Sequence, residues 1–112
     1  EYRFREACHW DKRGFTFKKY NEVLTIGKLS FIHGAYVTPT HAKKHLESYG
    51  CNLMYGHTHD LQRYSMTRLQ DGAISSWSLG CLKNIWPNGN FAVQIIEIVK
   101  GKAILNGKEL IG

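Results

Sequence analysis

Gly56-His57-Thr58-His59 sets two imidazoles two residues apart at the end of an apolar run, Asn52-Leu53-Met54-Tyr55. The run reads as a buried strand. Side chains alternate across a strand, so on an extended backbone residues i and i+2 point the same way. Imidazole is the commonest metal ligand and suits zinc, copper, iron and nickel. A second apolar run, Leu29-Ser30-Phe31-Ile32, ends in His33-Gly34. Two strand ends that each finish in histidine beside glycine point to one site at a common edge. The expected metal ligands are therefore His33, His57 and His59.

A hydrolytic metal centre also needs carboxylates, to offset the metal charge and to bridge two ions. The candidates are Asp11, Asp60, Asp71, Glu1, Glu6, Glu22, Glu47, Glu97 and Glu109, and none stands in an Asp-x-His or Gly-Asp-x-x-Asp setting. Two further histidines, His41 and His45, have the i, i+4 spacing of helical zinc ligands. Ala42 stands where a zinc protease needs its glutamate base, so that chemistry is unsupported. His41, at the helix start, is a candidate for contact with a phosphate or with a ligand. His45, one turn on, is expected in solvent, and His9 at the surface or in packing.

The elements that must position these groups can be read coarsely. Residues 1–22 are polar, basic and aromatic, with a short strand expected at Phe15-Thr16-Phe17. Val23–Ile26 and Leu29–Ile32 flank Gly27-Lys28 as a hairpin. Thr38 and Pro39 open a helix as N-cap and first-turn residue, and Gly50 stops it after Tyr49. Ala42, Leu46 and Tyr49 fall on one face. Leu61–Leu69 and Ala73–Leu79 form a hairpin about Gln70-Asp71-Gly72, where Asp-Gly is a strong turn signal. Phe91–Val99 and Ala103–Leu105 form another about Lys100-Gly101-Lys102. The loop Lys83–Asn90, with Asn84 and Trp86, reads as an ordinary turn-rich loop.

Residues 27–59 combine Gly-Lys-Leu-Ser-Phe-Ile-His-Gly, a helical interval and Tyr-Gly-His-Thr-His. This order resembles the C-terminal half of the calcineurin-like metallophosphoesterases, above all the small phosphoesterases of phages and prophages. Ser78-Leu79-Gly80-Cys81-Leu82 and Asn90-Phe91-Ala92-Val93 fit that subgroup, and the resemblance spans roughly residues 14–100. It implies an α/β fold, the β-rich half of a four-layer αββα sandwich. It implies a phosphatase-type hydrolase, with two divalent ions (manganese, iron, zinc or nickel) activating a hydroxide for attack on phosphorus. His33 and His57 would ligate one ion and His59 the other. The Asp-x-His, Gly-Asp-x-x-Asp and Gly-Asn-His-Asp/Glu motifs of that family do not occur here. No catalytic acid is therefore assigned. The chain is expected to be one partial domain that needs an N-terminal half or partner chain, and to be inactive or weakly active alone.

Bulk properties set the remaining bounds. The 112 residues suffice for one domain, and 43% hydrophobic with 21% charged residues is ordinary for a folded protein. A half-domain would expose an apolar face, which invites a partner or a homo-oligomer. The net charge of +6 favours anionic partners: phosphate-ester substrates, and nucleic acid in the alternative reading. In that alternative the chain is a non-catalytic basic module with Tyr2, Phe4, Trp10, Phe15 and Phe17 as stacking groups. Cys8, Cys51 and Cys81 form no Cys-x-x-Cys and read as reduced thiols of a cytoplasmic protein. No apolar run approaches membrane-spanning length.

Overall fold

A computed structural model describes residues 6–10, 12–19, 21–69, 72–80, 94–106 and 108–110. β1 (Leu24–Ile26) and β2 (Leu29–Ile32) form a hairpin. Helix α1 (His41–Tyr49) then carries the chain across to β3 (Leu53–Tyr55), which pairs parallel to β2. β4 (Leu61–Arg68) and β5 (Gly72–Leu79) form a long hairpin in register from Leu61↔Leu79 to Arg68↔Gly72. β5 lies parallel to β3, giving a five-stranded sheet in the order β1-β2-β3-β5-β4. β6 (Glu97–Val99), β7 (Lys102–Leu105) and β8 (Lys108–Glu109) make a separate three-stranded antiparallel sheet. The protein is a mixed α/β, β-rich chain, and the described residues stack as helix, large sheet and small sheet.

Alternation along the strands decides what each layer meets. The row Phe31, Met54, Trp77 faces the small sheet. Leu29, Met54, Ala103 and Leu105 form a buried cluster there, with Phe31, Trp77, Leu79, Ile96 and Leu110 packed against it. The alternate row, Leu53, Tyr55, Ile74 and Ser76, faces α1, which buries Ala42, His45 and Leu46. Ser76 donates its hydroxyl to the carbonyl of Ala42. At the β1–β2 turn, a Cβ on Gly27 would come within 2.7 Å of the Gly101 carbonyl. Glycine therefore allows the two sheets' turns to touch.

The helix starts later than the sequence suggests. Thr40, not Thr38, is the N-cap and makes no side-chain cap bond, so Pro39 lies before the helix. The first-turn N–H of Ala42 is taken instead by Gln62 Oε1 of β4, at 3.1 Å. Gln62 Nε2 also donates to the Pro39 carbonyl at 2.8 Å. A tertiary partner has replaced the local cap. Gly50 ends the helix in the left-handed conformation, as expected.

Phe15–Phe17 is not a strand. Its rings close on Trp10 instead: Phe17 stacks on it at 4.8 Å and Phe15 lies tilted at 5.8 Å. Residues 94–96 are likewise not in a strand, and β6 begins at Glu97. Cys81, the 91–93 end of that expected strand and the 83–90 loop lie outside the described residues. Cys8 and Cys51 are free thiols.

At the edge of the sheet away from the histidines, Asn52 is 2% exposed and extends the ladder with its side chain. Its Nδ2 donates to the Lys28 carbonyl at 2.9 Å, and its Oδ1 accepts the Ser75 N–H at 3.0 Å. Its own carbonyl accepts the Ser30 N–H. One residue thus ties β2, β3 and β5 together where they begin. Asn52→Ala would leave a buried N–H unpaired and should cost about 2 kcal/mol. Denaturant unfolding should show this as a lower midpoint with unchanged slope, whereas exposed Lys44→Ala should move the midpoint little.

Candidate metal and phosphate site

Three parallel strands, β2, β3 and β5, end at one edge of the sheet, and antiparallel β4 begins there. In open α/β sheets ligands bind outside the carboxyl ends of the strands. His33 follows β2, Gly56–Asp60 links β3 to β4, and Ser78 lies near the end of β5. The N–H of Gly56 donates to the His33 carbonyl at 2.9 Å, which joins the first two strand ends through their backbones.

His33 and His57 are brought together. Nε2 of His33 lies 3.0 Å from Nδ1 of His57, with the rings edge to face at 4.9 Å. The contact is a hydrogen bond between the two rings. Two nitrogens bound tetrahedrally to one ion stand about 3.3 Å apart, so a small opening of this contact would let the two imidazoles share an ion. Gly34 permits the approach: a Cβ there would stand 3.0 Å from His57 Cβ and 3.1 Å from the Tyr55 ring, at a φ of +114°.

The backbone of the histidine pair differs from the expected extended one. His57 and His59 both have left-handed φ, 62° and 63°. Thr58 N–H donates to the Gly56 carbonyl at 2.7 Å, so the chain turns within two residues to enter β4. The period-two rule for strands does not apply in such a turn. His59 is half-buried. No group of three His, Cys, Asp or Glu residues able to hold a metal forms among the described residues. Among the described residues the converging donors are thus two imidazoles, without the carboxylates a two-ion centre requires.

His41 and His45 are both interior, and the expectation that His45 lies in solvent is wrong: it is 0% exposed. Its Nδ1–H donates to the His41 carbonyl at 2.7 Å, and its Nε2 accepts the N–H groups of Ala35 at 3.0 Å and Tyr36 at 3.3 Å. Its ring stacks on Tyr55 at 3.9 Å. The i, i+4 spacing pointed to paired function, but β3 and the 35–36 loop close over the second histidine.

His41, 3% exposed, bridges Tyr55 and Asp60, a strand residue and a candidate carboxylate that the sequence did not tie to it. Nδ1 meets the Tyr55 hydroxyl, and Nε2 lies 2.9 Å from Asp60 Oδ1 and 3.1 Å from Oδ2. The bonds are satisfied with Nε2–H donating to the carboxylate and the Tyr55 hydroxyl donating to Nδ1. Burial raises the Tyr55 hydroxyl, opposed by a hydrogen bond with Ser78 and aided by the Asp60 charge. Tyr55 therefore stays a phenol. Partial burial pushes Asp60 up, but hydrogen bonds from Thr58 and His41 hold it below the ordinary value. Ser78 extends the network: its hydroxyl donates to the Asp60 carbonyl at 2.6 Å and lies 3.0 Å from Thr58 Oγ1. Val37, Thr38, Pro39, His41, Thr58 and Asp60 line a pocket of about 270 Å³ beside this network. In the sequence Asp60 stands out from the other candidate carboxylates only by its adjacency to His59.

No family model matches the chain, and no curated protein or solved structure does either. No helix among the described residues is long and apolar enough to cross a membrane.

His45 makes a pH prediction. Burial is the main cause of its lowered pKa; the nearby His41 and His57 lower it further, against the raising effect of the bond to the His41 carbonyl. A proton added at Nε2 would face two N–H donors. A depressed folded value means stability is present above the ordinary pKa of 6.5 and is lost as pH falls below it. The melting midpoint should therefore fall between neutral and mildly acidic pH. Asp60→Asn should keep that fall, because the Asp60 contribution is lost only below the ordinary carboxylate value of 3.8. A flat profile for the native chain over this interval would contradict the assignment.

Proposed function

We propose that this chain supplies the histidine-bearing, β-rich half of a metal-dependent phosphoesterase. The half would belong to a four-layer αββα sandwich. The observation that carries the reading is the 3.0 Å approach of His33 and His57 at the carboxyl edge of three parallel strands. The order His-Gly, helix, Gly-His-Thr-His supports it, as does the net charge of +6, which favours a phosphate ester.

Within this reading His33 and His57 hold one divalent ion, and His59 contributes to a second. The carboxylate ligands would come from an N-terminal half or partner chain. When bound, the ions neutralise phosphate charge and activate water. The chain's own residues do the positioning. Gly34 makes room for the His57 ring, and Thr58 holds the turn through Ser78. The Tyr55–His41–Asp60 chain anchors the start of β4 directly after His59. His41 is thus a supporting residue, one step removed from the ligands.

Cobalt titration followed by visible absorption tests the ligand pair in the complete chain. Binding should be weak. His33→Ala and His57→Ala should each weaken it by at least about tenfold, the lower end of what loss of even a supporting partner costs. His9→Ala should leave it unchanged. Manganese-dependent hydrolysis of an aryl phosphate should be undetectable for this chain and should appear when a segment with the Asp-x-His, Gly-Asp-x-x-Asp and Gly-Asn-His motifs is supplied. A cobalt spectrum that survives the double substitution at His33 and His57 would sink the reading.

A further inference from the structure

A second concavity borders His33 on the side away from the Asp60 network. It has a volume of about 470 Å³ and is lined by Lys18, Lys19, Asn21, Glu22, Leu24, Phe31, Ile32 and His33. The size lies within the ordinary range for small-molecule sites, roughly 300–1,000 Å³. The chemistry of its walls is divided. Leu24 and Phe31, directly paired across the β1–β2 hairpin and so on one face of the sheet, give an apolar floor. Lys18 and Lys19 are exposed on the other wall, and of the lining residues Glu22 alone is acidic. Asn21 sits in a left-handed turn, φ 68°, closed by Glu22 N–H to the Lys19 carbonyl at 2.9 Å.

We propose that this groove binds a mononucleotide, its phosphate between the Lys18-Lys19 wall and His33 and its base on the Leu24 and Phe31 floor. The lysines exceed the single carboxylate, so the wall favours an anion. A phosphate beside His33 would stand next to the His33–His57 pair. The floor suits a flat ring, because every base has a face that stacks on aromatic or apolar surface. Asn21 selects among flat phosphates. Its amide offers a donor and an acceptor side by side, the pattern that a base edge such as adenine's answers. An alkyl or phenyl phosphate would leave that amide unused. The orientation of the ligand rests on the phosphoesterase reading; its binding does not.

The test is calorimetric titration of the complete chain, with a metal chelator present, against adenosine monophosphate, adenosine and inorganic phosphate. The monophosphate should bind at least about tenfold more tightly than either fragment. Lys18→Glu with Lys19→Glu should weaken the monophosphate about tenfold and leave adenosine unchanged. Asn21→Gly, which keeps the left-handed turn, should weaken the monophosphate and adenosine but not phosphate. Circular dichroism of each variant checks that the fold persists, and all three substitutions lie at exposed positions. No binding of the monophosphate, equal affinity for phosphate, or equal affinity for adenosine would each overturn the proposal. So would tighter binding of a single-stranded oligonucleotide with no dependence on Asn21. Because binding is read without metal, nucleotide affinity with a negative cobalt result would leave the groove standing and remove the phosphoesterase. Histidine-dependent cobalt binding without nucleotide affinity would do the reverse.

Discussion

The uncharged imidazole of His45 is the contact on which the site depends. It is enclosed between α1, β3 and the loop after β2, and all of its hydrogen-bonding capacity is used inside the protein. The two backbone donors it accepts, Ala35 and Tyr36, belong to the loop that leaves His33. The ring face it presents to Tyr55 holds the strand that leads to His57. A buried polar group is stable only when its partners are in place, and a charge there would cost far more. One side chain therefore sets the exits of two strands relative to each other.

From Tyr55 the constraint passes to His41 and Asp60, and so to the first residue of β4. These contacts are polar and largely buried, and Asp60 takes the His41 hydrogen bond on Oδ2 while Oδ1 keeps none of its own. Such networks hold a site more narrowly than apolar packing, because each member has one good geometry rather than many. The apolar work is done on the opposite face. There Met54 and Trp77 meet the small sheet, and the close approach of Gly27 and Gly101 joins the layers. The division leaves the strand ends free to carry chemistry while the core lies beneath them.

The same edge presents two unlike surfaces on either side of His33. Toward β4 it is a polar pocket around a carboxylate already held by His41. Toward β1 it is a basic, apolar-floored groove. An anion arriving at the histidine pair would meet lysines on one side and a hydrogen-bonded carboxylate on the other. Charge thus gives the edge a direction, which a pair of imidazoles alone would lack.

Much of the local structure was legible in the chain. Gly27-Lys28 between two apolar runs and Gly50 after Tyr49 mark a turn and a helix stop by backbone chemistry that needs no tertiary partner, and the alternating runs 61–69 and 73–79 pair as the hairpin their pattern suggests. The histidines at strand ends were legible for the same reason, and His33 and His57 do meet. Other features depended on what packs across from them. Thr38 lost the cap because Gln62, more than twenty residues away, takes the first-turn N–H. Phe15–Phe17 has the residue types of a strand but pairs its rings with Trp10. His45 has the same type and spacing in an exposed or a buried helix, and only the layer laid over it decides which. Asp60 and Tyr55 became partners of His41 because a parallel crossover brings the helix start to the end of β3. Sequence determines which groups can bond and where the chain can turn; the tertiary structure decides which distant group arrives, because burial removes water as the alternative partner.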